Sequence, residues 1–335
     1  MVFLVAVLFF LALDLGVFHR RAHVVKFREA LAWTALWVAL SLLFAGALVP
    51  LRGRQEAIEF VTGYIIELSL SMDNVFVIAL IFAYFRVPTQ YQHRVLFWGI
   101  LGALIMRGVM IALGAALIER FQWMLYLFGA FLVFTGIKML FAGDEEVDPE
   151  KNPVLRLARK CFPVSADFEG QKFTTQVNGA FALTPLALVL VVVETTDLVF
   201  AVDSIPAIFG VTTNRFIVFT SNVFAILGLR SLYFVLAEAI DYFRYLKVGL
   251  SLVLAFIGAK MLLDPHGREE EWYQVDIATS VSLLTVGAII LTSIALSVTV
   301  ARREKKAAEK QKLAAEKNAA RDKTDPSDRP DSSPF

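Results

Sequence analysis

The sequence predicts an all-α polytopic membrane protein of about nine transmembrane helices, N-terminus outside and C-terminus inside. It also predicts an inverted repeat of helices 3–5 in helices 6–8. Three observations predict this: nine long apolar runs, basic residues crowded into alternate connections, and an ordered set of ionisable residues that occurs twice. Of 335 residues, 57% are hydrophobic and 19% charged. Soluble proteins carry roughly a quarter of their residues as charges, so an ordinary soluble enzyme is excluded. With 29 Phe, 8 Tyr and 5 Trp, disorder is excluded outside the tail. A net charge of +1 gives no global attraction to nucleic acid. The single cysteine, Cys161, excludes a disulfide framework and a multi-cysteine metal site.

The runs are Val2–Phe18, Ala30–Val49, Ala57–Phe85, Val95–Leu117, Phe121–Phe141, Phe181–Phe209, Phe216–Ala237, Leu246–Leu263 and Ile277–Val300. A bilayer core needs about 20 helical residues, and most of the runs meet that. The third and sixth are long enough to tilt or break. None shows the alternation of a membrane β-strand. The first run has its positive charges after the apolar core (Arg20, Arg21, Lys26, Arg28), the reverse of a signal peptide, so it is expected to be retained. With the N-terminus outside, inside segments carry 23 Lys and Arg and outside segments 5. That asymmetry satisfies the positive-inside rule.

The organisation follows. Residues 1–56 hold two N-terminal helices and 57–141 the first three-helix repeat. Residues 142–180 form a cytoplasmic loop and 181–263 the second repeat. Residues 264–300 hold the last helix, and 301–335 a tail that is basic and then disordered by composition. The remaining four bases lie within the runs: Arg107, Lys138, Arg230 and Lys260. Arg107 precedes Lys138 by 31 residues and Arg230 precedes Lys260 by 30. Gly136-Ile-Lys-Met-Leu140 matches Gly258-Ala-Lys-Met-Leu262, and the stretch Glu67 to Asp73-Asn74 matches Asp197 to Asp203-Ser204. A repeat of three helices enters from the opposite side, which is the plan of many secondary transporters, with substrate bound near the midplane. Chance likeness between apolar helices is the competing explanation, and the matched order of acid, Arg and Lys argues against it.

Six carboxylates lie within the runs: Asp14, Glu67, Asp73, Glu194, Asp197 and Asp203. Each costs roughly 2.5–3.5 kcal/mol at a helix centre on insertion scales, so they must be paired, protonated, hydrated or bound to a cation. Four bases leave a formal deficit of two, which one divalent cation would balance. At about 100° per residue, Glu194 and Asp197 lie within about 60° of each other and can share a site. Glu67, Ser71 and Asn74 share one face, with Asp73 beside it. Pro206 lacks an N–H and clashes with the carbonyl of Val202, so a kink or opening is expected near 202–206, exposing carbonyls as further ligands. Glu67, Asp73, Asn74, Glu194, Asp197 and Asp203 are the expected metal ligands, with Asn222, Ser204 and Thr196 nearby. Asp14, Arg107, Lys138, Arg230 and Lys260 are supporting groups or counter-ions. Hard oxygen donors suit Mg²⁺, Ca²⁺ or Mn²⁺. Structural salt bridges to Arg107 and Arg230 are the alternative use of the same acids.

Glu67-Leu-Ser-Leu-Ser-Met-Asp73-Asn74-Val-Phe and Glu194-Thr-Thr-Asp197-Leu-Val-Phe-Ala-Val-Asp203-Ser204-Ile-Pro206-Ala resemble the two signature stretches of the TerC/Alx family of bacterial membrane proteins. The resemblance extends from about residue 8 to 300, and the tail is longer than is usual in the family. It implies Mn²⁺ efflux for Alx-like members, with tellurium-compound resistance as an older label, and location in the bacterial inner membrane.

The leading expectation is therefore a secondary transporter exporting a divalent cation, Mn²⁺ first, with proton antiport as the expected coupling. Its partners are the ion and the bilayer, with no nucleic acid and no resident cofactor. The runner-up is a non-transporting membrane partner in a tellurium, stress-resistance or secretion complex. An intramembrane protease is disfavoured: the Gly-x-Gly-Asp type of motif is absent and the four His are expected in loops. The acidic loop stretch Asp144–Glu150 and Glu269–Glu271 read as solvated, and the basic start of the tail as a positive-inside stop that also suits anionic lipid.

Overall fold

The computed structural model describes residues 27–141, 152–177, 179–238, 245–264 and 277–322. The first apolar run with Asp14, both acidic stretches and the end of the tail lie outside them. Eight helices among the described residues are long and apolar enough to cross a membrane. They are α1 (Phe27–Arg52), α2 (Arg54–Tyr84), α3 (Thr89–Arg120), α4 (Met124–Phe141), α6 (Pro185–Phe209), α7 (Arg215–Glu238), α8 (Leu246–Leu263) and α9 (Thr279–Asp322). They match the second to ninth apolar runs.

The loop between α4 and α6 has structure of its own. Helix α5 (Pro153–Cys161) starts at Asn152, whose side chain accepts from the N–H groups of Val154 and Leu155, with proline in the first turn. An antiparallel hairpin, β1 (Thr174–Val177) with β2 (Ala180–Leu183), follows. The sixth run therefore divides. Its first residues are strand, and the helix begins after Thr184, which caps it through Ala187 N–H. Leu155 is fully buried and packs with Leu186, Val189 and Val193 of α6, so the loop is docked on the bundle.

Two expectations are corrected. No opening occurs at 202–206: α6 continues through Pro206 to Phe209. Pro206 lies in the last turn, where only one intrahelical bond is lost and the chain is closed by Gly210 N–H to Pro206 O and Thr212 N–H to Ile208 O. His93, expected in a loop, lies in the first turns of α3 and is buried.

Helix α7 is buried along most of its length and α2 and α8 over about half, whereas α1, α4 and α9 are mostly peripheral. Around α7 the packing is reciprocal. Helix α3 lies on α6 and α2 on α7; α4 contacts α6 and α2 contacts α8; α4 lies along α8. The α4–α8 seam is the tightest. A Cβ on Gly136 would sit 2.7 Å from Ser251 O and 2.8 Å from Ala255 N, and a Cβ on Gly258 would sit 2.6 Å from Gly129 O and 2.7 Å from Val133 N. The two backbones thus touch in antiparallel register, the kind of approach that small residues allow in membranes.

One end of the bundle gathers Arg52 over the Phe216 ring (4.2 Å), Glu59 accepting from Thr212 Oγ1 (2.6 Å) and Gln55 on Thr279 (3.1 Å). The other gathers Arg94 on Gln171 (3.3 Å), Tyr233 on Gln92 (3.1 Å) and Tyr245 N–H on Ser297 (2.9 Å). The connections at the second end are the more basic of the two sets in the sequence.

Alanine at Gly136 or at Gly258 is expected to destabilise the protein similarly, by about 1–3 kcal/mol, because backbone must move to admit the methyl. Alanine at Gly46, which has open space around it, is expected to leave stability unchanged. Thermal unfolding of the purified variants in detergent checks both.

Candidate intramembrane ion site

Helical periodicity puts Glu67, Ser71 and Asn74 on the inward face of α2, and all three are buried. Opposite them stands Asp197, midway along α6. Between the two acids is Arg107 of α3, which is 2% exposed. Its Nε and Nη2 donate to the two oxygens of Asp197, at 3.3 and 3.1 Å. Nη1 donates to Ser204 Oγ at 3.3 Å and ion-pairs with Glu67. One guanidinium thus joins α2, α3 and α6. A planar fork can bind one carboxylate through two N–H groups and still serve a second acid, which a lysine ammonium cannot do with fixed geometry.

Of the other acids, Asp73 and Asp203 stand apart from this clamp. Glu194 lies beside Asp197 in charge terms. Its carboxylate occupies a notch on α3 that exists because residue 102 is glycine: a Cβ there would collide with the carboxylate. Asp203 is hydrogen-bonded to Thr135 and lies near Lys138, both on α4. Asp73 faces the charge of Lys247 at the start of α8. Among the described residues, no three His, Cys, Asp or Glu side chains converge closely enough to hold a metal ion. The six acids and amides expected from the sequence are therefore spread over a central clamp and two outlying positions.

Polar atoms without partners surround the clamp. Glu194 Oε2, Ser71 Oγ and both polar atoms of the Asn222 side chain are buried and make no hydrogen bond. Asn222 is 1% exposed on α7, the most buried helix. Buried polar atoms are satisfied in the great majority of cases, so such a group of oxygen donors marks a place able to receive a cation or water.

The counter-ions divide. Arg107 and Arg230 are buried as expected, and so is Lys260, whose Nζ lies 3.7 Å from Asp264. Lys138, grouped with the buried bases from its place in an apolar run, is exposed, one residue after the outward-facing Ile137. Sequence reasoning missed Gly102, Thr135 and Asn152. Asn152 Nδ2 donates to Thr195 Oγ1 at 2.8 Å and so ties the loop between α4 and α6 to the helix turn carrying Glu194. Asn152-Pro153 is a readable helix start, but nothing local shows that it reaches α6.

The fold and this cluster define a multi-pass helical membrane protein with a buried acid–arginine centre. The model of the integral membrane protein TerC family matches residues 52–306. The chain belongs to the TerC family. It is 50% identical over 300 residues to the "Uncharacterized membrane protein STKORF319" of Myxococcus xanthus, covering 90% of this chain and 92% of that protein. It is 46% identical over 301 residues to the "Putative membrane-bound redox modulator Alx" of Escherichia coli strain K12, covering 87% of this chain and 92% of the relative. An "Uncharacterized membrane protein" of Rickettsia felis is 40% identical over 279 residues, 83% of this chain and 92% of its own length. No solved structure matches.

Removing Arg107 leaves two buried carboxylates uncompensated. Arg107→Gln is expected to cost about 3–5 kcal/mol of stability, the usual cost of breaking a buried pair from one side. Adding Glu67→Gln is expected to restore part of that loss. Melting of the two single variants and the double variant in detergent reads the coupling.

Proposed function

We propose that this chain is a secondary transporter of the bacterial inner membrane that exports a divalent cation from the cytosol, with Mn²⁺ as the first candidate. The observation that carries the reading is the Glu67–Arg107–Asp197 clamp, set among partnerless oxygen atoms of Ser71, Glu194 and Asn222 inside apolar helices. Ionisable groups at membrane depth are costly, and their usual role is an ion or proton path. A scaffold has no need of them.

Other features support the same reading. Glu67 and Asp197 are the first acids of the two matched stretches, and the clamp joins them. The antiparallel α4–α8 seam pairs Gly136 with Ser251 and Ala255, and Gly258 with Gly129 and Val133, which are corresponding positions when the two Gly-x-Lys-Met-Leu segments are aligned. That reciprocity supports an inverted repeat and hence alternating access. The donors are carboxylate, amide and hydroxyl oxygens, which favour Mn²⁺, Mg²⁺ or Ca²⁺ over softer ions. The family resemblance selects Mn²⁺ among these. Acids that hold either a proton or a metal ion provide for proton antiport.

The name of the Escherichia coli relative points to redox modulation. This sequence has one cysteine, the exposed Cys161, and so no thiol pair of its own for dithiol–disulfide exchange. A redox effect would then follow from the metal content of the cell.

The test is cellular metal content. The chain and its Glu67→Gln and Asp197→Asn variants, which neutralise the clamp acids, are expressed at matched membrane levels in bacteria lacking their own Mn²⁺ exporters. The cells are loaded with Mn²⁺, and Mn, Ca, Mg, Fe and Zn are measured by mass spectrometry. A severalfold fall in Mn alone, lost in both variants, is the expected result. No change in any metal with correctly inserted protein defeats export and advances the non-transporting partner of a stress-resistance complex.

A further inference from the structure

The clamp is not symmetric although the acids it joins are. Glu67 and Asp197 correspond to each other in the two matched stretches, as do Asn74 and Ser204, and Arg107 corresponds to Arg230. Exchanging the two copies therefore returns the acid pair to itself. The same exchange carries Arg107 with Ser204 into Arg230 with Asn74. Arg107 lies on α3, which packs on α6, and it binds Asp197 and Ser204 of α6 before crossing to Glu67. The corresponding arrangement has Arg230 on α7, which packs on α2, binding Glu67 and Asn74 of α2 and crossing to Asp197. All the residues it needs are present and buried: Arg230 is 8% exposed, Glu67 0% and Asn74 3%.

We propose that Arg107 and Arg230 take turns on the Glu67–Asp197 pair, each closing it in one of two access states, so that the exchange of arginines is the switch between them. This rests on the transporter reading and adds to it the residues that move. The α4–α8 seam supplies a hinge that is common to both states. Its glycine contacts map onto themselves under the exchange, so they need not break when the two halves swap roles. The fork of Arg107 reaches three partners on two helices, and releasing it removes the polar tie between α2 and α6, leaving their apolar contact at Gly63 and Ile208. A cation arriving at the acid pair would displace the guanidinium and bias that release. Two states with one acid pair and two competing cationic side chains form a two-state element whose balance either arginine sets.

The test reads access directly and does not depend on metal export. Cys161→Ser gives a cysteine-free background, because the chain has one cysteine. Single cysteines are placed at Ser71 or at Ala201, which lie four residues after Glu67 and Asp197 and are both buried. A charged, membrane-impermeant thiol reagent is applied to whole cells and to inside-out vesicles. Arg107→Gln is expected to raise labelling of one reporter and lower that of the other by on the order of threefold or more, and Arg230→Gln to do the reverse. Should either variant fail to insert, Arg107→Lys and Arg230→Lys keep the charge but lose the fork, and the same opposite shifts are expected. Equal shifts in the same direction, or an effect of one arginine alone, overturn the exchange. Metal content measured on cells that carry the Cys161→Ser chain with Arg107, Arg230, Ser71 and Ala201 all in place separates the two readings. Export without opposite shifts defeats the switch and leaves the transporter standing. Opposite shifts without export leave the switch standing and defeat export.

Discussion

Everything central in this protein depends on holding two carboxylates in a medium that rejects charge. Glu67 is fully buried and Asp197 nearly so, and neither can rely on water. Arg107 meets the constraint by contacting both at once, with Ser204 taking one more of its N–H groups. The geometry of α2, α3 and α6 follows from that contact. It requires three helices to pass within one side chain's reach, and the small residues along α3 allow this. Gly102 receives Glu194, and Gly114 admits the ring of Phe209. A larger side chain at either position would push α6 away from the helix that carries the arginine.

The bundle also shows why two kinds of contact coexist. Apolar clusters fill the ends: Phe60, Tyr64 and Ile217 on one side, Phe82, Leu186 and Tyr233 on the other. These interdigitated surfaces are insensitive to charge and hold the helices in register. The centre is polar and incompletely satisfied, with Ser71, Glu194 and Asn222 retaining unused hydrogen-bonding capacity. Unsatisfied buried groups oppose stability, so a fold that keeps them must be held together elsewhere. The α4–α8 seam is one such place, because backbone-to-backbone contact across glycines is rigid and independent of any ionisable group.

Much of this was legible in the sequence, for identifiable reasons. Apolar length gave the described membrane helices, and the helical period gave the buried face of Glu67, Ser71 and Asn74. Repetition singled out Gly136 and Gly258 before any contact was known. What was not legible depends on relations between distant segments. The notch at Gly102 has no local signature, since a glycine in a membrane helix is ordinary. Lys138 was placed among the buried bases because hydropathy locates a residue along a helix and not around it. Pro206 points the other way: a proline removes one backbone bond and crowds the carbonyl four residues before it, and here the helix runs on through that loss to Phe209. The docked loop was hidden because the run from 181 is uniformly apolar. Its division needed Thr184-Pro185 to be weighed as a helix start over the hydrophobicity of Phe181 to Leu183.

The charge balance of the clamp bears on what it can exchange for. Glu67 and Asp197 bring two negative charges and Arg107 one positive, so the closed clamp is one charge short of neutral when both acids are ionised. Lys260 does not make up the difference at the clamp, because it is directed to Asp264, and Lys138 lies outside the core beside Asp203. A monovalent cation replacing the guanidinium would leave that deficit unchanged, while a divalent one would remove it. In a low-dielectric site this difference is worth more than it would be in water. Arg107 is thus a good occupant of the pair, since it supplies directed hydrogen bonds, but an electrostatically incomplete one. An occupant with directed bonds and insufficient charge holds the site in shape while leaving the pair one charge from balance, and the unused polar atoms of Ser71, Asn222 and Glu194 are left unsatisfied beside it.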